Sequence, residues 1–342
     1  MSGVILSGFA DEASRDKGVV EQFAVMAALG LKYFSIRFID AGHGVKNVMK
    51  LTPAEVDRVV QLKADYGLQV ASLGSPLGKV KLRSDDDSTT NAYVPFDVYL
   101  REDVPRACDL ANQLGTRLIR GFSFYHPKGT DPHPHLDQAA DQLTAIAEVC
   151  GQAGLTYGLE IEANLIGQTG QLMAELHRRV HHPAMVLVFD AGNILCQGYS
   201  AAEVFEQYVA MKPGLGWLHI KDYLPPQAAD AGASAVGAGG RHVNEEMLKH
   251  FVPADLGGSG HEAILRDLCD YAPQVARRMS ERGVPGVFLD LEPHVKGGGQ
   301  FGGFSGPDGL GVALRGLCRL LDHVGLGYHL RDFDDIRASR GF

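Results

Sequence analysis

Apolar residues come in short bursts along the chain, and the order of those bursts indicates the fold. Strand-like runs occupy residues 4–9 (VILSGF), 33–37 (YFSIR), 69–74 (QVASLG), 117–124 (RLIRGFSF), 157–162 (YGLEIE), 184–190 (AMVLVFD), 216–221 (GWLHIK) and 286–292 (GVFLDLE). Helical patterns fill the gaps. "TPAEVDRVVQLKADYG" opens on Thr52 as N-cap, with Pro53 at the first helical position and Glu55 at the third, and it stops at Gly67. "DQAADQLTAIAEVCGQAG" gathers Ala140, Leu143, Ala147 and Cys150 on one face. "SAAEVFEQYVAMKPG" repeats the capping formula with Ser200 and Glu203. Strict alternation of strand and helix means parallel strands joined by crossovers. Eight such units predict an α/β protein, a (β/α)8 TIM barrel formed as a single domain over residues 1–342. A barrel of this kind takes about 250 residues. The excess here falls in three loops: 76–95, a long insertion at about 224–260, and the glycine-rich run 296–306. A doubly wound open sheet is the rival arrangement, but no GxGxxG follows the first strand.

Alternation within the strands sorts the polar residues. In 286–292, Val287, Leu289 and Leu291 share one face, while Phe288, Asp290 and Glu292 share the other. In 157–162, Leu159 and Ile161 oppose Glu160 and Glu162; in 184–190, Leu187 and Phe189 oppose Asp190; in 216–221, Leu218 and Ile220 oppose His219. Four successive strands thus place Glu162, Asp190, His219 and Glu292 inward at their C-terminal ends, the face that carries barrel active sites. The spacing agrees: 28 residues separate Glu162 from Asp190 and 29 separate Asp190 from His219, one βα unit each. Converging carboxylates repel and raise one another's pKa unless a cation intervenes. Three carboxylates and an imidazole, with no thiolate, suit one divalent ion: Mn²⁺, Mg²⁺, Co²⁺ or Zn²⁺. Glu160 and Asp290 lie one layer deeper. Glu160 is the rival to Glu162, because a register slip exchanges their depths. Arg37, Arg120, His126, Lys221 and His294 stand at or just past strand ends, where they could bind substrate hydroxyls or a phosphate.

Composition narrows the partners. With 45% apolar and 21% charged residues the chain reads as soluble and globular. A net charge of -9 and a pI near 5.8 argue against nucleic acid or an anionic membrane as partner. Five scattered cysteines without a CxxC fit free thiols in a reducing compartment. "MSGVILSGFADEAS" lacks the basic and apolar segments of a signal peptide, and no run reaches the ~18 apolar residues of a membrane span. The expected location is cytoplasmic.

The motifs "SGFADEAS", "SLGSPLGK", "RGFSFY", "LEIEAN", "FDAGN", "WLHIKDY" and "LDLEPH" together resemble the sugar phosphate isomerase/epimerase family, whose fold is a xylose isomerase-like TIM barrel. The resemblance runs nearly end to end. Its last four motifs each carry one metal ligand of the family, which implies Glu162, Asp190, His219 and Glu292 here. It also implies acid–base roles for Glu162 and Glu292, a substrate contact at Asn193, a small carbohydrate substrate, and homo-oligomers such as dimers or tetramers. The expected reaction is isomerisation or epimerisation of a sugar, sugar phosphate or polyol ketone through an enediolate. Three alternatives stand beside it. One is β-elimination from a 3-keto-sugar, which begins with the same proton abstraction. Another is a DNA-repair endonuclease, which would require more strand-end histidines and a basic groove. The last is a non-catalytic sugar-binding barrel.

Overall fold

The computed structural model describes residues 3–225, 250–295 and 306–341; most of the 224–260 insertion and the glycine-rich run 296–305 lie outside the described residues. Eight strands form one sheet: β1 (Ile5–Gly8), β2 (Tyr33–Ile36), β3 (Gln69–Gly74), β4 (Leu118–Gly121), β5 (Thr156–Glu160), β6 (Met185–Asp190), β7 (Leu215–Ile220) and β8 (Phe288–Leu291). Each pairs in parallel with its sequence neighbour from β2 to β8, and β8 pairs with β1. A parallel bridge between Phe9 and Ser35 draws β1 to β2, so the sheet is a nearly closed barrel. Around it run α1 (Val19–Ala28), α2 (Pro53–Asp65), α3 (Phe96–Leu114), α4 (Leu136–Gln152), α5 (Gly170–Val180), α6 (Ala201–Met211), α7 (His261–Ser280) and α8 (Pro307–Val324). The chain is a (β/α)8 TIM barrel.

The local signals work as their chemistry requires. Thr52 and Ser200 both form complete capping boxes, with Glu55 and Glu203 reaching back to the cap. The expected strand 117–124 stops at Gly121, because the chain beyond it pairs elsewhere. The Phe122 and Phe124 amides donate to the Leu77 and Gly78 carbonyls of the loop after β3, at 2.7 and 3.0 Å, and Phe124 takes a left-handed φ of 72°.

The barrel interior is layered. Trp217 fills the floor, and Gly158 on β5 makes room for it: a Cβ there would lie 1.9 Å from the indole. Above it, Ser7 donates to Asp290 at 2.9 Å, Ser35 also donates to Asp290, and Ser35 and Ser72 share a hydrogen bond of 2.7 Å. These serines satisfy a carboxyl that burial pushes up. The charged groups of the mouth sit on that layer.

Candidate metal centre

Glu160, Asp190, His219 and Glu292 each present a donor atom such that all four lie within 4.8 Å of one another, and all four side chains are buried. Three of them are those expected from strand alternation. The fourth is a correction: the β5 carboxylate in the cluster is Glu160, and Glu162 is outside it. Glu162 follows the end of β5, and its side chain pairs with Lys79 at 2.8 Å, both about one quarter exposed. The reason lies in the stagger of a closed barrel, in which equal height on neighbouring strands is not equal register. Glu160 is in register with Val188, two residues short of Asp190; Asp190 aligns with His219 and His219 with Asp290, two short of Glu292. The donors therefore climb four residues over three strand steps, close to the average of about one residue per strand in a TIM barrel.

Each donor has a defined environment. His219 Nδ1 is 3.1 Å from Glu160 Oε1 and 3.6 Å from Glu292 Oε2, while its Nε2 lies 3.9 Å from Asp290. Asn193 donates from Nδ2 to Glu160 Oε1 at 3.2 Å and from its backbone N–H to Asp190 Oδ1 at 3.0 Å. Lys221 Nζ stands 3.0 Å from Asp190 and 3.1 Å from Glu292 Oε2. The other oxygen of Glu292 accepts from Arg37 and lies 3.4 Å from His294 Nε2. Arg120 backs Glu160 Oε2 at 3.3 Å. Phe9 stacks under both arginines, with ring centroid distances of 4.5 Å to Arg37 and 5.3 Å to Arg120, and meets the His219 ring edge-on.

The protonation preferences follow from these contacts. Burial raises Asp190 to about 6, although Lys221 pulls the other way. Burial also acts on Glu160, but His219 and Arg120 outweigh it and hold the carboxyl down at about 2. Lys221 and Arg37 likewise hold Glu292 well below the usual carboxylate range against its burial. His219 is raised despite burial, chiefly by Glu160.

These residues fit a divalent cation. Among the described residues, His219 Nε2 is buried without a hydrogen bond, and such a group costs on the order of 1–3 kcal/mol when left unsatisfied; Glu160 Oε2 and Asp190 Oδ2 have only the cation contacts of Arg120 and Lys221. Three carboxylates and one imidazole suit a divalent ion with oxygen and nitrogen preferences. The wider charge balance agrees. Asp11, Glu12, Glu160, Asp190, Asp290 and Glu292 face Lys17, Arg37, Arg120 and Lys221, an excess of two negative charges when all six carboxyls are ionised. One divalent ion cancels that excess.

Of the expected substrate contacts, Asn193, Lys221, Arg37 and His294 converge on this centre, and their polar atoms engage its carboxylates. His126 does not; it is half-buried beside Thr130, 3.3 Å away, in the loop after β4. Sequence reasoning passed over Asp11 and Glu12. Arg37 Nη2 reaches them at 2.9 and 3.0 Å, and Glu12 lies 2.7 Å from His294 Nδ1. Their signal was "ADE" directly after the first strand, the same strand-end position that singled out the others.

The profile of the xylose isomerase-like TIM barrel family matches residues 23–300. Among curated proteins, none matches the sequence. Solved structures share the fold at low identity. The IOLI protein with a bound zinc atom superposes with a TM-score of 0.64 at 12% identity, covering 94% of this chain and 99% of that one. D-Allulose 3-epimerase from Methylomonas sp., in complex with D-allulose, gives 0.59 at 15%, covering 93% and 98%. A xylose isomerase-like TIM barrel/4-hydroxyphenylpyruvate dioxygenase fusion protein gives 0.61 at 16%; 94% of this chain is covered, but it spans only 44% of that protein.

Proposed function

The chain belongs to the xylose isomerase-like TIM barrel family, and we propose that it is a divalent-metal-dependent isomerase or epimerase of a sugar or related polyol ketone. The observation that carries this reading is the convergence of Glu160, Asp190, His219 and Glu292 within 4.8 Å at the C-terminal mouth of the barrel. The zinc of the IOLI structure and the D-allulose of the epimerase structure support it as analogies of fold.

A divalent ion held by these four side chains would supply Lewis acidity to adjacent oxygens of a hydroxyketone. The chain's own residues do the rest. Glu160 and Glu292 come from β5 and from just past β8, the two flanks of the cluster, so they approach a bound carbon from different sides. One carboxylate removes the proton beside the carbonyl, and the same or the opposite group returns it. Arg37 and Lys221 keep Glu292 ionised. The Lys221 ammonium, held between Asp190 and Glu292, is placed to donate a hydrogen bond to a substrate oxygen as charge develops there. Asn193 fixes Glu160 and Asp190 together.

In D₂O, a ketose that turns over is expected to acquire deuterium at the reacting carbon. Glu292→Gln should lower turnover by about 100- to 10,000-fold, the usual contribution of a positioned acid or base. Turnover without isotope incorporation would eliminate the proton-abstraction reading.

A further inference from the structure

A cleft of about 750 Å³ opens among the loops and helix starts at the C-terminal end of the strands, the end of the barrel that carries the metal centre, within the range of small-molecule sites. Loops after β3, β4, β5 and β6 contribute Asn91, Tyr125, Asn164 and Tyr199, and the first turn of α5 adds Gln171. The cleft and the centre are close. Asn164 follows Glu160 by four residues, at most about 14 Å of extended backbone. Tyr125 is bridged to Lys81 on one side and Leu165 on the other, so the loops form one wall. The Glu162 carboxylate, paired with Lys79, is in electrostatic reach of both Lys221 in the centre and Tyr125 in the cleft.

The lining defines the ligand class. Side-chain amides both donate and accept, which matches vicinal hydroxyls, and tyrosine rings offer apolar faces with a polar tip. Glu203 and Glu206 outnumber Lys128, and Asp131 is paired with His133, so with its histidines neutral the lining does not favour an anion such as a phosphate. We propose that this cleft is a second subsite, taking a neutral glycosyl unit attached to the sugar that reacts at the metal centre. This rests on the reading of that centre as a sugar site, and it makes the substrate a disaccharide or glycoside rather than a free monosaccharide.

The test is calorimetric binding to the metal-loaded full chain, with maltose, cellobiose, lactose and trehalose set against glucose and galactose. At least one disaccharide is expected to bind tenfold or more tighter than either monosaccharide. Gln171→Trp and Glu206→Trp, each filling the cleft from an exposed helix position, should erase that preference while leaving metal content and melting temperature unchanged. Disaccharides that bind no tighter than monosaccharides, or a preference that survives both variants, would overturn the subsite. Deuterium exchange reports separately on the reaction. Exchange without extended-sugar preference removes the subsite alone, and preference without exchange removes the isomerase reading alone.

Discussion

Asp190 is fully buried, and burial carries its carboxyl up to about 6 in the metal-free site even with Lys221 3.0 Å away. His219, raised by Glu160 despite its burial, also holds a proton longer than a free imidazole. Both must be deprotonated to bind a cation. Metal affinity should therefore fall as pH drops from 7 to 5, with a limiting slope of two protons, up to about 100-fold in Kd per pH unit; a pH-independent Kd by calorimetry would contradict these assignments. The stability sign runs the other way. A carboxyl raised in the folded state contributes favourably below its unfolded pKa, and that contribution is lost as pH rises through about 6. Asp190→Asn should thus stabilise the metal-free protein at pH 7 by on the order of 1 kcal/mol, about 2–4 °C in Tm, while metal binding disappears; a lower Tm would count against it. Asp190, His219 and Glu292 were legible because strand alternation fixes which face a side chain takes. Depth is a different matter: Glu160 and Glu162 share a face, and only the stagger of the closed sheet separates them.

Element boundaries were most legible where a local device writes them. The Thr52 and Ser200 capping boxes are complete, and Thr52→Ala should cost about 1 kcal/mol in chemical denaturation. Less visible is what one strand requires of another across the barrel. Gly158 carries no turn signal, yet a Cβ there would lie 1.9 Å from the Trp217 ring. Gly158→Ala should destabilise by about 1–3 kcal/mol through overpacking and displace Glu160 two residues on. Gly18→Ala, with nothing within 4 Å of the added carbon, should stay within about 0.5 kcal/mol. Equal melting temperatures for the two variants would mean that the floor of the barrel yields more than its packing implies. The overlong strand 117–124 failed for a related reason: tertiary pairing with the loop after β3 took over the backbone from Phe122 onward.

Across the whole molecule, the order of alternating strands and helices was enough to give a TIM barrel, because seven successive parallel crossovers admit few other closures. The charge inventory of its mouth was only partly readable. Asp11 and Glu12 belong to the same network as Glu292, 280 residues away, and nothing local in the sequence announces that meeting. That network, with Lys17, Arg37, Arg120 and Lys221 as its cations, balances one divalent ion. The most direct measurement is metal content by mass spectrometry on wild type, Glu160→Ala and Glu162→Ala, each checked for folding by its melting curve. Wild type and Glu162→Ala are expected to retain about one ion per chain, and Glu160→Ala to lose it. An ion retained by Glu160→Ala and lost by Glu162→Ala would contradict the centre as assigned, and a wild type that binds no divalent ion would remove it altogether.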